Sequence, residues 1–350
     1  MPGALLDVRE LSVVFDTAAG EARAVDNASL RLEAGEILAL VGESGCGKTV
    51  LSLSILGLTP PPGRVSSGAV LFRGRDLRGL GEREMESVRG AKIGMIFQEP
   101  MTSLNPVFRA GEQISEALRL HKGLFRAEAA RRAVELLAEA GVPDPERSAR
   151  AFPHELSGGM RQRVMIAMAV SCEPALLIAD EPTTALDVTI QNQILDLIQG
   201  ETARRGMGVL FITHNLGVVA NVADRVVVMY SGRIVECADV YALFENPLHP
   251  YTRGLLRSLP RPGGEHLALS PIPGTVPSLD ALPPGCHFHP RCPEAFDTCR
   301  VAAPPLFRLE NGALARCWLH EAQAAQGQRT APPTGSDTIP GNNLDGKETL

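Results

Sequence analysis

Short apolar runs alternate with amphipathic stretches through about the first 245 residues of the chain. The apolar runs are EILALVG (36–42), KIGMIFQ (92–98), ALLIADE (175–181), GVLFITH (208–214) and RVVVMY (225–230). Runs of this length, separated by helical patterns, predict buried strands of a largely parallel sheet. The segment 110–140 has a helical pattern, and Gly141 is a plausible stop. The patterning therefore predicts an α/β fold over residues 1–245.

The pattern changes after residue 245. Residues 246–285 are rich in Pro and Gly and contain one short helical pattern, PYTRGLLRSL, which is typical of a connector. A cysteine-rich segment follows and extends to His320. Residues 321–350 contain almost no large apolar side chains, and this composition predicts a disordered tail. We therefore expect three parts, with bounds 1–245, 246–320 and 321–350.

Composition and charge narrow the classes of function. A chain of 350 residues can form one large domain and a small one. Its formal net charge of −6 does not favour a nucleic-acid partner. There is no run of 18 apolar residues, and the start MPGALLDVRE does not resemble a secretory signal, so a cytosolic location is expected. Clustered cysteines in that reducing compartment are more typical of metal ligands than of disulfides.

The stretch GESGCGKT (42–49) fits the phosphate-binding pattern G-x-x-x-x-G-K-[ST], between an apolar strand and a helical pattern. Its glycines let the backbone turn N–H groups toward phosphate oxygens. Lys48 adds a positive charge for the β- and γ-phosphates, and Thr49 offers a hydroxyl to Mg²⁺. The predicted nucleotide site comprises Gly42, Glu43, Ser44, Gly45, Cys46, Gly47, Lys48 and Thr49.

The apolar run ALLIADE ends in two carboxylates. Buried carboxylates are unfavourable unless they meet a cation or a proton. Asp180, at the strand end, is placed to reach Mg²⁺ directly or through water. Glu181 is the candidate general base for an attacking water molecule. Together with the phosphate loop, this pair predicts a site that hydrolyses a nucleotide.

The stretch LSGGM (156–160), followed by RQR, resembles the LSGGQ signature of the ATP-binding cassette (ABC) ATPases, with Met160 in place of Gln. A helix start of this kind offers the Ser157 hydroxyl and the N–H groups of Gly158 and Gly159 to a phosphate. The resemblance implies that this phosphate belongs to ATP on an opposite subunit, in a head-to-tail sandwich of two cassettes. It also implies a RecA-like core, an antiparallel β subdomain and a helical signature subdomain.

Four further positions match the ABC family. By this resemblance Gln98 is the glutamine that contacts Mg²⁺ and the water, and Asp187 is the aspartate that follows the second acidic motif. His214 looks like the switch histidine near the γ-phosphate. Phe15 resembles the aromatic residue that stacks on adenine, although a core position is the alternative for it.

Three longer stretches, FQEPMTSLNP, FPHELSGGMRQR and NPLHPYTRGLL, resemble the ATPases of the di-/oligopeptide and nickel importers. The resemblance implies an ATP-hydrolysing subunit held peripherally at the cytoplasmic face of the cell membrane. Implied partners are two membrane permeases, a second ATPase that is identical or homologous, and an extracytoplasmic solute-binding protein. The solute itself is not identified.

Two other functions compete with transport. One is a soluble ABC ATPase of translation or repair, although such proteins usually carry two cassettes or a long coiled-coil insertion, and this chain has neither. The other is a regulatory module that senses iron or redox state. Glu181 and His214 favour turnover over pure sensing.

The last four of the seven cysteines have the spacing C-x5-C-x6-C-x17-C. Four thiolates can hold zinc or a [4Fe–4S] cluster. The wide gaps suit a cluster better than zinc, and the subfamily resemblance also implies a [4Fe–4S] cluster. His287, His289 and His320 are alternative ligands, and four unliganded thiols remain possible. Cys46, Cys172 and Cys237 have no partners in sequence and are expected in the core or loops. The predicted cluster ligands are Cys286, Cys292, Cys299 and Cys317.

Overall fold

The computed structural model describes residues 3–18, 20–98, 103–184, 186–259 and 272–327. Its strands are β1 (Leu6–Thr17), β2 (Gly20–Leu32), β3 (Ile37–Val41), β4 (Gly63–Phe72), β5 (Arg75–Asp76), β6 (Ile93–Ile96), β7 (Leu176–Asp180), β8 (Gly208–Thr213), β9 (Arg225–Tyr230), β10 (Arg233–Asp239), β11 (Phe307–Arg308) and β12 (Leu314–Ala315).

The α-helices lie between and after these strands. They are α1 (Lys48–Ile55), α2 (Glu82–Glu86), α3 (Ala110–Lys122), α4 (Arg126–Glu139), α5 (Pro145–Arg150), α6 (Gly158–Val170), α7 (Val188–Arg205), α8 (Leu216–Val222), α9 (Val240–Glu245), α10 (Pro250–Arg257), α11 (Asp297–Val301) and α12 (Glu321–Gly327). Single 3₁₀ turns occur at Leu77–Gly79, Pro153–Glu155, His289–Arg291 and Trp318–His320.

The chain divides into two compact units. The first contains residues 1–33, 38–78 and 213–350, and the second contains residues 34–37 and 79–212. In the first unit β2, β1, β4 and β5 form an antiparallel sheet in that order. A second set of strands starts with β3, which pairs in parallel with β9. Strand β10 continues it antiparallel to β9, and β12 and β11 follow.

The C-terminal residues share the core of this first unit. Tyr230 on β9 and Val235 on β10 belong to one buried cluster with Tyr251 on α10 and Phe288 near the cysteines. The Phe288 ring meets Tyr230 edge-on, with ring centroids 5.2 Å apart. Burial of such aromatic surface stabilises the attachment strongly. Helix α10 and the residues around Phe288 are therefore packed onto β9 and β10.

The second unit combines a parallel three-stranded set with a group of helices. Strand β7 pairs in parallel with β6 on one side and with β8 on the other. Helices α3, α4 and α6 share a buried apolar cluster that includes Ile114, Leu136 and Val164. The second half of helix α6, residues 164–170, is almost entirely buried, and this explains why that half is apolar on every face.

The predicted strands are confirmed with bounds that differ by at most two residues, and RVVVMY is β9 itself. The predicted helix 110–140 is two helices, because Gly123 ends α3 with a left-handed conformation at φ 68°. Gly141 lies two residues beyond the end of α4. The prediction of disorder from residue 321 is wrong for Glu321–Gly327, which form α12. The remainder of that tail lies outside the described residues.

Candidate functional site

The phosphate loop connects β3 to α1, as predicted. A side chain at Gly42 would place its Cβ 2.2 Å from the carbonyl oxygen of Met229. At Gly47 it would lie 2.5 Å from the carbonyl oxygen of Ala24, and φ there is +106°. Glycine is therefore required at both positions, because the loop backbone packs directly against neighbouring backbone. The Cys46 carbonyl accepts a hydrogen bond from the Gly232 N–H at 2.9 Å, which fixes the loop from a third side.

Lys48 is buried at the start of α1. Its ammonium group donates hydrogen bonds to the carbonyl oxygens of Gly42 and Glu43, at 2.8 and 3.0 Å. Thr49 follows in the first helical turn and is half-buried, whereas Ser44 and Gly45 are exposed. A helix start with free N–H groups and a cation beside it is suited to an anionic phosphate. The loop thus lies between a strand and a helix start, with the lysine at its end, as the sequence predicted.

The Cys46 side chain points into the protein. It is fully buried, and burial raises the pKa of its thiol. Any contribution of this residue to nucleotide binding must therefore come from its backbone. Cys172 and Cys237 are also buried, as expected for core positions.

Phe15 and His214 lie in the same unit as the loop. Phe15 is half-buried on β1 and opposes Gly63 of β4. A side chain at Gly63 would lie 2.6 Å from the Phe15 ring, so the ring covers that glycine. His214 is exposed directly after β8, and the next residue, Asn215, caps α8 by accepting the Gly217 N–H at 3.0 Å.

The acidic pair lies at the end of β7 in the second unit. Asp180 is 1% exposed. Glu181 has a left-handed backbone with φ 49°, and its N–H donates to the carbonyl oxygen of Ile212 on β8 at 2.9 Å. Its carboxylate accepts a hydrogen bond from the Thr184 hydroxyl at 2.6 Å. A non-glycine residue in this conformation is strained, and such strain concentrates at functional sites.

The signature residues form the start of α6. The Ser157 hydroxyl caps this helix by accepting the N–H of Met160 at 3.3 Å. Ser157 and Gly158 are exposed, and Gly159 is half-buried. Farther along the helix, Gln162 donates to the carbonyl oxygen of Pro182 at 2.6 Å, which joins α6 to the segment after Glu181.

Two further predicted residues belong to the second unit. Asp187 is exposed and caps α7 by accepting the Ile190 N–H at 2.9 Å. Gln98 is exposed after β6. The second unit therefore holds Gln98, Ser157, Gly158, Gly159, Asp180, Glu181 and Asp187, while the phosphate loop, Phe15 and His214 belong to the first.

All four C-terminal cysteines line one small cavity, which Phe288 and Trp318 also border. The Cys286 N–H donates to the Cys299 carbonyl oxygen at 2.9 Å, so their two segments are directly joined. Burial raises the pKa of the Cys292 thiol to about 11 and that of Cys317 to about 12. Thiols in this environment stay protonated unless a cation replaces the proton.

The three histidines of this region are engaged mainly with carbonyl groups. His287 contacts the Ser231 carbonyl oxygen at 3.2 Å, and His320 contacts that of Leu248 at 3.1 Å. Neither borders the cysteine cavity, whereas His289 does. These carbonyl contacts occupy one ring nitrogen of each histidine, so their roles as alternative ligands or as donors behind the cysteine ligands stay a prediction. In the described ranges, no three His, Cys, Asp or Glu side chains are arranged to hold a single metal ion.

Sequence reasoning missed two residues that contact the phosphate loop. Tyr251 accepts a hydrogen bond from the Glu43 N–H at 2.8 Å. Arg291 donates two hydrogen bonds to the Glu43 carboxylate, at 2.7 and 3.0 Å. Both residues lie after position 245, and no local motif connects either of them with the loop. The only hint in the sequence is the stretch NPLHPYTRGLL, which contains Tyr251.

Comparison with known proteins links these features to families. The ABC transporter family profile matches residues 25–184, and the profile of the oligopeptide/dipeptide transporter C-terminal region matches residues 235–299. Dimeric structures of the ABC transporter cassette MJ0796, including one with bound ADP and phosphate, align with a TM-score of 0.62 at 27% identity. The alignment covers 67% of this chain and 98% of the cassette.

Relatives of similar length give a narrower grouping. A Brucella melitensis protein named for peptide import and ATP binding is 54% identical over 327 residues, or 89% of this chain and 96% of the relative. The oligopeptide transport ATP-binding protein AppD of Bacillus subtilis is 50% identical, with 92% and 98% covered. The dipeptide transport ATP-binding protein DppD of Escherichia coli is 48% identical, with 90% and 96% covered. No helix in the described part of the chain is both long and apolar enough to cross a membrane.

Proposed function

The chain belongs to the ABC transporter family, among the ATP-binding proteins of the oligopeptide and dipeptide importers, and on that premise we propose how its residues power import. It hydrolyses ATP to ADP and phosphate, and the energy drives di- or oligopeptides, or a related solute, through permease partners. The observation that carries this function is the loop 42–49 between β3 and α1, with Lys48 buried at its end. Its backbone and cation suit a polyphosphate.

We assign binding of the ATP phosphates and adenine to residues of the first unit. The N–H groups of the loop and the Lys48 ammonium hold the β- and γ-phosphates, and the Phe15 ring stacks on the adenine. Thr49 of the first unit and Asp180 and Gln98 of the second would each offer an oxygen ligand to Mg²⁺, and hydroxyl, carboxylate and amide oxygens are the donors this ion prefers. When bound, Mg²⁺ neutralises phosphate charge.

We assign the hydrolysis step to residues of the second unit together with His214 of the first. Glu181 accepts a proton from the attacking water, and its fixed backbone and its hydrogen bond from Thr184 orient the carboxylate for this task. Gln98 orients the same water, and His214 contacts the γ-phosphate. Ser157, Gly158 and Gly159 donate to the ATP held by the opposite subunit, with Asp187 at the contact between subunits.

We infer two permeases and a second ATPase, identical or homologous, as partners, with a solute-binding protein outside the cell. This places the chain peripherally at the cytoplasmic face of the membrane. The relatives named for peptide transport support this arrangement. We retain 1–245 as the ATPase domain and 246–320 as the extension typical of these importers.

We further propose that Cys286, Cys292, Cys299 and Cys317 bind a [4Fe–4S] cluster rather than zinc. All four thiols face one cavity, and this donor set fits a cluster. The cavity has a volume of only about 10 Å³, so the thiols must move apart to admit a cluster. The group would crosslink segments that have few large apolar side chains of their own.

The transport function is tested with the complete transporter in vesicles, by measuring ATP hydrolysis and peptide uptake together. Lys48→Ala removes the positive charge that contacts the phosphates, and we expect both ATP hydrolysis and peptide uptake to be lost. Lys122→Ala is the matched control, because this exposed lysine pairs with Glu173 at 3.2 Å and belongs to the second unit. Hydrolysis without uptake in the wild-type complex would favour a non-transport ATPase, and uptake that survives Lys48→Ala would contradict the proposed site.

A further inference from the structure

The C-terminal residues hold Glu43, the second residue of the phosphate loop, through both its backbone and its side chain. Its N–H donates to the Tyr251 hydroxyl, and its carboxylate receives the two hydrogen bonds from Arg291. The Glu43 carbonyl oxygen accepts one of the two backbone-directed hydrogen bonds of Lys48. Every polar group of Glu43 thus has a partner, and two of these partners lie outside the loop. The contacts span 208 and 248 residues of sequence.

Arg291 is itself held rigidly. Its side chain is 5% exposed, and its Nε donates to the carbonyl oxygen of Pro273 at 2.9 Å. The guanidinium lies 5.8 Å from the Tyr230 ring centroid and 6.0 Å from that of Phe288. A two-pronged arginine–carboxylate pair is stronger and geometrically stricter than a single hydrogen bond. Without Glu43, the buried guanidinium of Arg291 would be an unpaired charge. Opening the ion pair is therefore unfavourable in free energy.

Tyr251 is fixed in a comparable way. It is fully buried in the first turn of α10, and its backbone N–H is capped by the His249 side chain at 3.0 Å. Its ring centroid lies 4.7 Å from that of Tyr230 and 5.4 Å from that of Phe288. The hydroxyl that accepts the Glu43 N–H is therefore carried by a side chain with little freedom.

We propose that Arg291 and Tyr251 are positioning residues for ATP binding, which hold Glu43 so that the loop is already shaped for phosphate. This inference rests on the proposed ATP-binding function of the loop. A binding loop that is already ordered in the free protein binds more tightly, because binding does not have to include the entropy loss of ordering the loop. Arg291 directly precedes Cys292, so the arrangement also connects the cysteine segment to the nucleotide loop.

The test measures ATP affinity of the full-length chain and the KM and kcat of the assembled transporter. We expect Arg291→Gln to weaken ATP binding and raise KM by about tenfold, equivalent to about 1.4 kcal/mol. At saturating ATP, kcat should stay within about twofold, because the hydrolytic residues are unchanged. Arg291→Lys should recover affinity only in part, since lysine cannot form the paired hydrogen bonds. Tyr251→Phe should weaken binding by about threefold through loss of one hydrogen bond.

A double-mutant cycle separates positioning from general destabilisation. If Arg291 acts through Glu43, the variant with both Glu43→Gln and Arg291→Gln should bind ATP no more weakly than the poorer single variant. Glu294→Gln is the control, because it weakens an exposed C-terminal ion pair with Arg253 that does not involve the loop. It should leave ATP affinity unchanged.

Two results would overturn the proposal: wild-type ATP affinity in both Arg291→Gln and Tyr251→Phe, or fully additive losses in the cycle. If Arg291→Gln does not fold, Tyr251→Phe and Glu43→Gln decide the matter on their own. The outcome stays distinct from failure of the proposed function, since in that case the wild-type complex would itself not hydrolyse ATP.

Discussion

The Glu181 backbone is strained, and its carboxylate is held by the hydrogen bond from the Thr184 hydroxyl. A carboxylate fixed in this way suits a proton acceptor that must not move. We expect Glu181→Gln to slow hydrolysis in the assembled transporter by at least roughly 100-fold, because glutamine keeps the shape but cannot take a proton. ATP affinity should persist, since the phosphate loop is untouched. Single-turnover phosphate release measures the effect, with Glu173→Gln as a control carboxylate that pairs with Lys122 and Arg205 away from these residues. Turnover within a few-fold of wild type would remove Glu181 from this role.

Single residues also mark where sequence reasoning succeeds. The phosphate loop could be predicted because its glycines, lysine and threonine are contiguous and act through local backbone geometry. Ser157 caps a helix, as the helix start at LSGGM predicted, whereas the capping of α7 by Asp187 is seen only in the structure. Arg291 could not be predicted, because a buried cation reveals itself only through a partner that is 248 residues away.

At the scale of elements, strand β10 anchors the C-terminal region through one buried carboxylate. Glu236 is fully buried and accepts the N–H groups of Leu248 and His249, both at 2.8 Å, where the chain enters α10. Glu236→Ala leaves two buried donors without this acceptor, so we expect the free energy of unfolding to fall by about 2 kcal/mol or more.

Glu236→Gln should lose less, because its amide oxygen can still accept one of the two hydrogen bonds. Glu294→Ala is the control, since it breaks only a partly exposed ion pair with Arg253 and should change stability by less than about 1 kcal/mol. Urea unfolding of the full chain measures all three variants. Equal stability of Glu236→Ala and wild type would show that this anchor contributes nothing.

The proposed [4Fe–4S] cluster leads to a separate prediction about the iron content of the protein. Protein purified without oxygen should contain about four irons per chain and show the broad visible absorption of a thiolate-bound cluster. Replacing Cys292 and Cys317 together by Ser should abolish both signals and make residues 286–317 more sensitive to protease. Cys172→Ser, which alters a buried thiol of the second unit, should keep the iron. One zinc per chain in a colourless preparation would decide against the cluster.

Elements differ in how well the sequence predicts them. The strands β3, β7, β8 and β9 are continuous apolar runs because they are buried throughout, so their bounds are close to prediction. The long strands β1 and β2 show no such run. Their pairing register shifts at several points, which breaks the simple alternation of apolar and polar residues. Only the family resemblance led us to expect an antiparallel sheet there.

At the scale of the whole molecule, the proposed sandwich requires one chain to contribute residues to two different catalytic sites. In the proposed sandwich, Lys48 of one subunit and Ser157 of another meet the same ATP. The isolated chain should therefore bind ATP but hydrolyse it slowly, with a specific rate that rises with protein concentration or on addition of permeases and a partner ATPase. ATPase assays over a dilution series, with the oligomeric state measured in parallel, test this expectation. Full activity in a verified monomer at every dilution would contradict the sandwich.

The contact between Glu43 and Arg291 has a consequence for how the protein is made. The loop is synthesised early, yet the two side chains that hold Glu43 come 208 and 248 residues later. A nascent chain that has emerged only as far as β10 contains the glycines and the lysine of the loop. It does not yet contain Tyr251 and Arg291, which hold Glu43. Ribosomal products that stop short therefore cannot compete for ATP as the complete subunit does. If Tyr251 and Arg291 position the loop as proposed, full nucleotide affinity arises only after residue 291 has been synthesised.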